Sequence, residues 1–287
     1  GLSATIGNDE ELSKWINAQI FKSNYRPTKL KKGVLFDSKI YYKSKSKEIN
    51  LNSKNPDSLL ALADDSISKN KLNCNLSIKP TQMGLSIDED FAFGQIAELV
   101  EKAKYLNNFV RIDMEDSAYT DKTFSLFKKL KAKYDNLGVV VQAYLKRTYN
   151  DIVLLNMIGT NCRLCKGIYN EPPDIAYKNK NEIRNNYIKS LELILKSGNY
   201  VGIATHDEYL IKEAYRLIKE LNISKEKFEF QMLLGVREDL RDKINSDGYK
   251  IRIYVPFGKD WYSYSIRRLK ENPQIAGYIF KNIFSVK

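Results

Sequence analysis

Short apolar runs rich in β-branched and aromatic residues recur along the chain. They are separated by longer stretches whose apolar residues fall at helical intervals, the alternation that builds βα units and a parallel sheet. The runs are Gly33–Phe36 (GVLF), Leu76–Lys79 (LSIK), Val110–Met114 (VRIDM) and Gly138–Leu145 (GVVVQAYL), then Cys162–Tyr169 (CRLCKGIY), Tyr200–His206 (YVGIATH), Phe228–Gly235 (FEFQMLLG) and Ile251–Pro256 (IRIYVP). Eight such runs, most of them about thirty residues apart, predict an α/β fold closed into a (β/α)8 barrel in preference to an open sheet. Asn181–Lys196 and Asp207–Leu221 carry the helical spacing between them. Residues 1–31 then read as an N-terminal helical extension, 32–287 as the barrel domain, and 261–287 as its closing helices.

A chain of 287 residues that is 43% hydrophobic can bury one large core, which suits a single barrel domain. It contains no run of eighteen or more apolar residues, and its first thirty residues mix charges with short apolar stretches. Neither a membrane span nor a secretion signal is expected. Cys74, Cys162 and Cys165 are too few and odd in number for a disulfide scaffold, so a reducing, cytoplasmic setting is expected. The net charge of +12 comes mostly from scattered lysines. That pattern favours anionic ligands or anionic lipid over a groove that reads nucleic acid, and no specific nucleic-acid binding is expected. The densest basic run, Tyr41–Glu48 (YYKSKSKE), reads as a solvated loop that could touch a membrane.

In a barrel of this kind the site forms at the C-terminal ends of the strands. The runs end at or near Lys79, Asp113 with Glu115, Gln142, Arg163 with Lys166 and Tyr169, Thr205-His206-Asp207, Gln231 and Tyr254. Such groups are costly to bury alone, so they should pair with one another or with a large polar cofactor. Further on, the segment Trp261–Pro273 (WYSYSIRRLKENP) spaces Tyr264, Arg267, Arg268 and Glu271 onto one helical face. Two adjacent guanidiniums suit a carboxylate, and the set could hold a small amino or imino acid; the same spacing also fits a solvated basic helix with an Arg–Glu pair. Cys162 and Cys165 form a C-x2-C, but residues three apart on a strand face opposite ways, and no metal site is expected. Asp113 and Glu115 share a strand face, yet a carboxylate-pair hydrolase would leave the arginine pair and Gln142 without a role. His206 is the only histidine in the chain.

Seven ordered blocks carry a family likeness: RIDMED (111–116), QAYLKRT (142–148), RLCKGIYNEP (163–172), YVGIATHDE (200–208), FEFQMLLGVR (228–237), IYVPFGKDWY (253–262) and YSIRRLKENP (264–273). The chain resembles the FAD-dependent proline dehydrogenases over about residues 75–273. The resemblance implies a distorted (β/α)8 TIM-like barrel holding FAD, and oxidation of L-proline to Δ1-pyrroline-5-carboxylate by hydride transfer to flavin N5. It also implies that Arg267 and Arg268 clamp the proline carboxylate, with Lys79, Asp113, Tyr254, Tyr264 and Glu271 framing the substrate. Arg163, Lys166, Gly167, Gln142, Thr205, His206 and Gln231 match the positions that hold the cofactor. A membrane quinone is implied as electron acceptor, with a separate pyrroline-carboxylate dehydrogenase as a possible functional partner; the basic surface is compatible with peripheral attraction to the inner membrane face. Two departures stand out: Ile168 replaces the family's usual alanine, and residues 33–47 lack its LGE-type pattern. Ile168 keeps open a dehydrogenase of a related imino acid such as hydroxyproline, and a non-catalytic flavin or amino-acid sensor is a further alternative.

Overall fold

The computed structural model describes residues 34–36, 39–42, 45–48, 75–234 and 236–255. Seven strands form one wholly parallel sheet: β4 (Leu76–Ile78), β5 (Val110–Ile112), β6 (Leu137–Gln142), β7 (Asn161–Cys165), β8 (Val201–Ala204), β9 (Phe228–Leu233) and β10 (Ile251–Tyr254). They stand side by side in chain order. A helix follows each of the first six: α1 (Glu89–Tyr105), α2 (Ser117–Lys131), α3 (Thr148–Met157), α4 (Lys180–Ser197), α5 (Glu208–Glu220) and α6 (Glu238–Ser246). Parallel neighbours need a crossover of a dozen or more residues, and each helix supplies one. Repeated βα units in sequential order make the wall of a (β/α)8-type barrel, as the spacing of apolar runs predicts.

Alternation along the strands divides the two sheet faces. One face presents Val110, Ile112, Leu137, Val139, Val141, Cys162, Leu164, Val201, Ile203, Phe228, Phe230 and Met232, all buried in one core with Ile96, Leu99, Phe127, Leu130, Leu191, Ile194 and Leu217 of the helices. Fully burying an Ile or Phe side chain contributes about 1.5–3 kcal/mol, so this layer carries the fold. Three of the six helices start on a side-chain cap of their own. The Asp88 carboxylate accepts from the Phe91 N–H at the start of α1, Asn179 from the Asn181 N–H at α4, and Asp207 from the Tyr209 N–H at α5. α4 stops at Gly198, in the left-handed region at φ 74°.

Two expectations are corrected. Val34–Phe36 (β1), expected to open the barrel, instead pairs antiparallel with Lys39–Tyr42 (β2), which pairs antiparallel with Lys45–Glu48 (β3). Only two residues separate each pair of strands, which suffices for a hairpin and excludes a parallel crossover. The same sheet absorbs the run 41–48, so it is largely strand, not loop; alternating Lys and Ser is as compatible with an extended chain as with a turn. The 1–31 extension, the 261–287 helices and the residues Tyr264, Arg267, Arg268 and Glu271 lie outside the described residues.

Candidate active site

The inner face of the sheet carries the chemistry. Positions two apart on each strand aim Ser77, Arg111, Asp113, Gln142, Arg163, Glu229, Gln231, Arg252 and Tyr254 away from the helices. At the centre stands Arg163 on β7. Its Nη1 donates to Asp113 Oδ1 at 2.8 Å and to Ser77 Oγ at 3.1 Å, and its Nε donates to Gln231 Oε1 at 2.6 Å. Ser77 Oγ in turn donates to Asp113 Oδ1 at 2.7 Å, and the guanidinium lies 5.6 Å from the centre of the Tyr254 ring. Nη2 has no hydrogen-bond partner among the described residues, so a donor is left over on a nearly buried cation.

Below this layer the interior stays charged. Arg111 is fully buried and donates to the Asn161 carbonyl at 2.6 Å and to Asn161 Oδ1 at 2.5 Å. Burial, helped by the nearby Arg163 charge, pulls its pKa down to about 9, which leaves it a cation at neutral pH. Glu229 meets Arg252 through two hydrogen bonds, at 2.7 and 3.0 Å, and accepts from Gln231 Nε2 at 2.8 Å. Burial works to raise its pKa, but the Arg252 bonds and charge outweigh it and hold the carboxyl below its usual range. Three arginines against two carboxylates leave this interior cationic.

A second cluster sits at the ends of β7 and β8. The Asp207 carboxylate binds Arg184 through two bonds, at 2.7 and 2.9 Å, and Lys166 Nζ at 3.4 Å. Burial would raise its pKa; the Arg184 bonds and the charges of Lys166 and Arg184 prevail and lower it. Next to it, His206 Nε2 accepts the Leu233 N–H at 2.9 Å. The proton of the neutral ring therefore lies on Nδ1, a fixed donor. Burial first, then the Lys166 and Arg237 charges, push the pKa of His206 down to about 4. Thr205 Oγ1 accepts from the Asp207 N–H, which frees its hydroxyl hydrogen to donate.

Loops fix the rim. Gln142 donates to the Glu115 carbonyl at 2.8 Å, and the Glu115 carboxylate accepts from both the N–H and the hydroxyl of Thr81. Glu171 accepts from the Ser117 N–H and hydroxyl, both at 2.6 Å, and thereby caps α2, whose own cap residue Asp116 makes no such bond. After β7 the backbone turns at Gly167, φ 102°; a Cβ there would lie 2.0 Å from the Tyr144 ring. The glycine is thus required by its own backbone and by Tyr144, whose buried hydroxyl has no partner among the described residues.

The structure brings Asp113, Arg163, Gln231 and Tyr254 into one network and gathers Lys166, Thr205 and His206 at the next strand ends. Gln142 lies on the same mouth, and Lys79 follows β4 directly, its carbonyl accepting from the Gln82 and Met83 N–H groups. Sequence reasoning assigned no role to Ser77, Glu229 or Arg252, although all three are polar residues at inward positions of apolar strands. Arg184 lies on a helix and Glu171 on a loop; no spacing rule points from either to its partner. Among the described residues, no three His, Cys, Asp or Glu cluster as metal ligands. Neither Cys162 nor Cys165 is in a disulfide, and burial pushes Cys162 up to about 12.

Fold and site together define an α/β barrel whose strand ends form a donor-rich, cationic mouth. The family model "Proline dehydrogenase" matches residues 28–279. Proline dehydrogenase 2 of Bacillus subtilis (strain 168) is 39% identical over 217 residues, covering 76% of this chain and 72% of its own. Proline dehydrogenase of Deinococcus radiodurans is 37% identical over 213 residues, 72% of this chain and 69% of that one. Among solved structures, proline utilization A (PutA) from Bdellovibrio bacteriovorus, inactivated by N-propargylglycine, superposes with a TM-score of 0.68 at 25% identity. The match covers 75% of this chain and only 27% of that longer one. A 48-residue stretch is also 48% identical to the ATP-dependent DNA helicase Hel308 of Pyrococcus abyssi, over 17% of this chain and 7% of the helicase. The chain belongs to the proline dehydrogenase family. It is an oxidoreductase of proline catabolism, in a family that works with a flavin.

Proposed function

We propose that this barrel mouth binds FAD and L-proline and yields Δ1-pyrroline-5-carboxylate. The observation that carries the reading is Arg163, a nearly buried cation tied to Asp113, Ser77 and Gln231 with one guanidinium nitrogen unpartnered among the described residues. The donor set fits a flavin dinucleotide: two cations, the Thr205 hydroxyl, the His206 Nδ1–H and two amides come from four neighbouring strands, while no Gly-rich dinucleotide loop is present. When bound, FAD supplies the hydride acceptor for the substrate ring carbon. Lys166 and His206 would hold the anionic linkage, Gln142 and Gln231 the ring edges, and Arg163 the side where negative charge develops. Lys79, Asp113, Tyr254, Tyr264 and Glu271 would frame the substrate, with Arg267 and Arg268 fixing its carboxylate and so its orientation.

A membrane quinone is the acceptor this reading favours, and a separate dehydrogenase would consume the pyrroline product. Ile168, 40% exposed on the loop after β7, keeps hydroxyproline as the rival substrate, because a branched side chain there narrows the mouth. The test is an anaerobic visible spectrum of the protein reconstituted with FAD, before and after L-proline and then hydroxyproline. Bleaching by proline is expected. Bleaching by hydroxyproline alone would move the assignment to the rival, and a bound flavin that neither compound bleaches would mark a sensor.

A further inference from the structure

Among the described residues, Glu229 makes no hydrogen bond to Lys79, Asp113 or Tyr254, yet it is 1% exposed and makes more charged contacts than its ion pair with Arg252 requires. Its Oε1 accepts both Arg252 Nε, at 2.7 Å, and Gln231 Nε2, at 2.8 Å. Oε2 takes Arg252 Nη2 at 3.0 Å and lies 3.5 Å from Lys250 Nζ. A carboxylate can only accept. Facing one, the Gln231 amide has a single workable orientation, NH2 toward Glu229 and carbonyl toward Arg163. Arg163 Nε can only donate, and it finds that carbonyl at 2.6 Å. Gly202, on the strand between Arg163 and Gln231, keeps the path open: a Cβ there would lie 2.4 Å from Gln231 Nε2.

We propose that Glu229 is the positioning residue that sets the polarity of the Gln231 amide and thereby locks the Arg163 guanidinium in place. The chain runs Arg252 to Glu229 to Gln231 to Arg163, each donor facing an acceptor. Its functional consequence rests on the reading that Arg163 serves the flavin site; the lock itself is a property of the protein alone.

The test is a substitution that removes the acceptor. Arg252 Nε and Gln231 Nε2 share Glu229 Oε1, so an amide oxygen at position 229 would serve both, whereas Glu229→Leu offers no acceptor to either. The Gln231 amide then loses the group that fixes its polarity and is free to present NH2 to Arg163 Nε–H, donor against donor. Nitrogen-15 NMR of arginine side chains in the flavin-free protein, with Arg163→Lys to assign the signal, reads this directly. Exchange of the Arg163 Nε–H with water should speed up about tenfold or more, the size of a lost hydrogen bond to a charged group. The double variant Glu229→Leu with Gln231→Glu gives Arg163 an acceptor in either orientation and should restore slow exchange. Arg252→Lys keeps the carboxylate and should lower Tm while leaving the Arg163 signal unchanged. With FAD bound, Glu229→Leu should cut kcat about tenfold and change KM for proline less than twofold. Unchanged exchange in Glu229→Leu, or no recovery in the double variant, overturns the proposal. If Glu229→Leu does not fold, the double variant decides alone. Failure of the wild type to bind flavin would sink the functional reading and leave the NMR outcome to stand by itself.

Discussion

At the residue scale, charge and hydrogen bonding assign roles that side-chain identity alone does not. His206 is the clearest case. Its folded pKa of about 4 lies below the ordinary 6.5, so the unfolded chain takes up the proton first as pH falls. The contribution of His206 to stability is therefore complete above about 6.5 and is lost progressively down to about 4, where protonation also breaks the bond from Leu233 N–H. Chemical denaturation at a series of pH values should show this loss, of order 2–3 kcal/mol, and His206→Gln should flatten it. The proposed arginine clamp gives a second prediction. Arg268→Lys keeps the charge but loses the planar fork, and kcat/KM for proline should fall on the order of a hundredfold with FAD still bound. Near-normal kcat/KM would remove Arg268 from the clamp.

At the scale of elements, the loop that follows β7 is shaped by the strand beside it. Gly167 holds φ 102° against the Tyr144 ring, so Gly167→Ala faces both a left-handed backbone penalty and a clash. A stability loss of about 1–3 kcal/mol is expected, with weaker FAD binding, measured by thermal unfolding and flavin titration. The strands from β4 to β10 were legible in the sequence because apolar runs, turn residues and helical stretches agree at each of them. The first strand was not: GVLF has the same apolar character in a hairpin as in a barrel, and only its partners distinguish the two. The mouth residues Arg163, Gln231 and His206 were legible as polar ends of apolar runs. Glu229 and Arg252 escaped because they sit deeper in the same strands, where polarity marks a buried pair and not a site. Arg184 and Glu171 escaped because helix and loop positions reach the mouth only through the packing of the whole sheet.

At the scale of the molecule, no helix among the described residues is long and apolar enough to cross a membrane. We propose that the net charge of +12 nonetheless draws the protein toward anionic lipid, at about 1 kcal/mol per lysine near the surface. Sedimentation with vesicles should show retention by anionic lipid at low salt, release as salt rises, and no retention by neutral lipid. Equal partitioning to both would argue against any electrostatic attachment.

The chain-order arrangement of the strands also bears on how the protein comes into being. Among the described residues, each strand of the parallel sheet hydrogen-bonds only to its neighbours in chain order. From β4 to β10 a growing polypeptide can therefore add one βα unit at a time. Ser77, Asp113 and Arg163 can meet as soon as β7 docks, whereas Gln231, Glu229 and Tyr254 arrive only with β9 and β10. The lock on Arg163 is thus among the last parts of the sheet to assemble, and a nascent chain halted before β9 would carry the scaffold of the site without its working geometry.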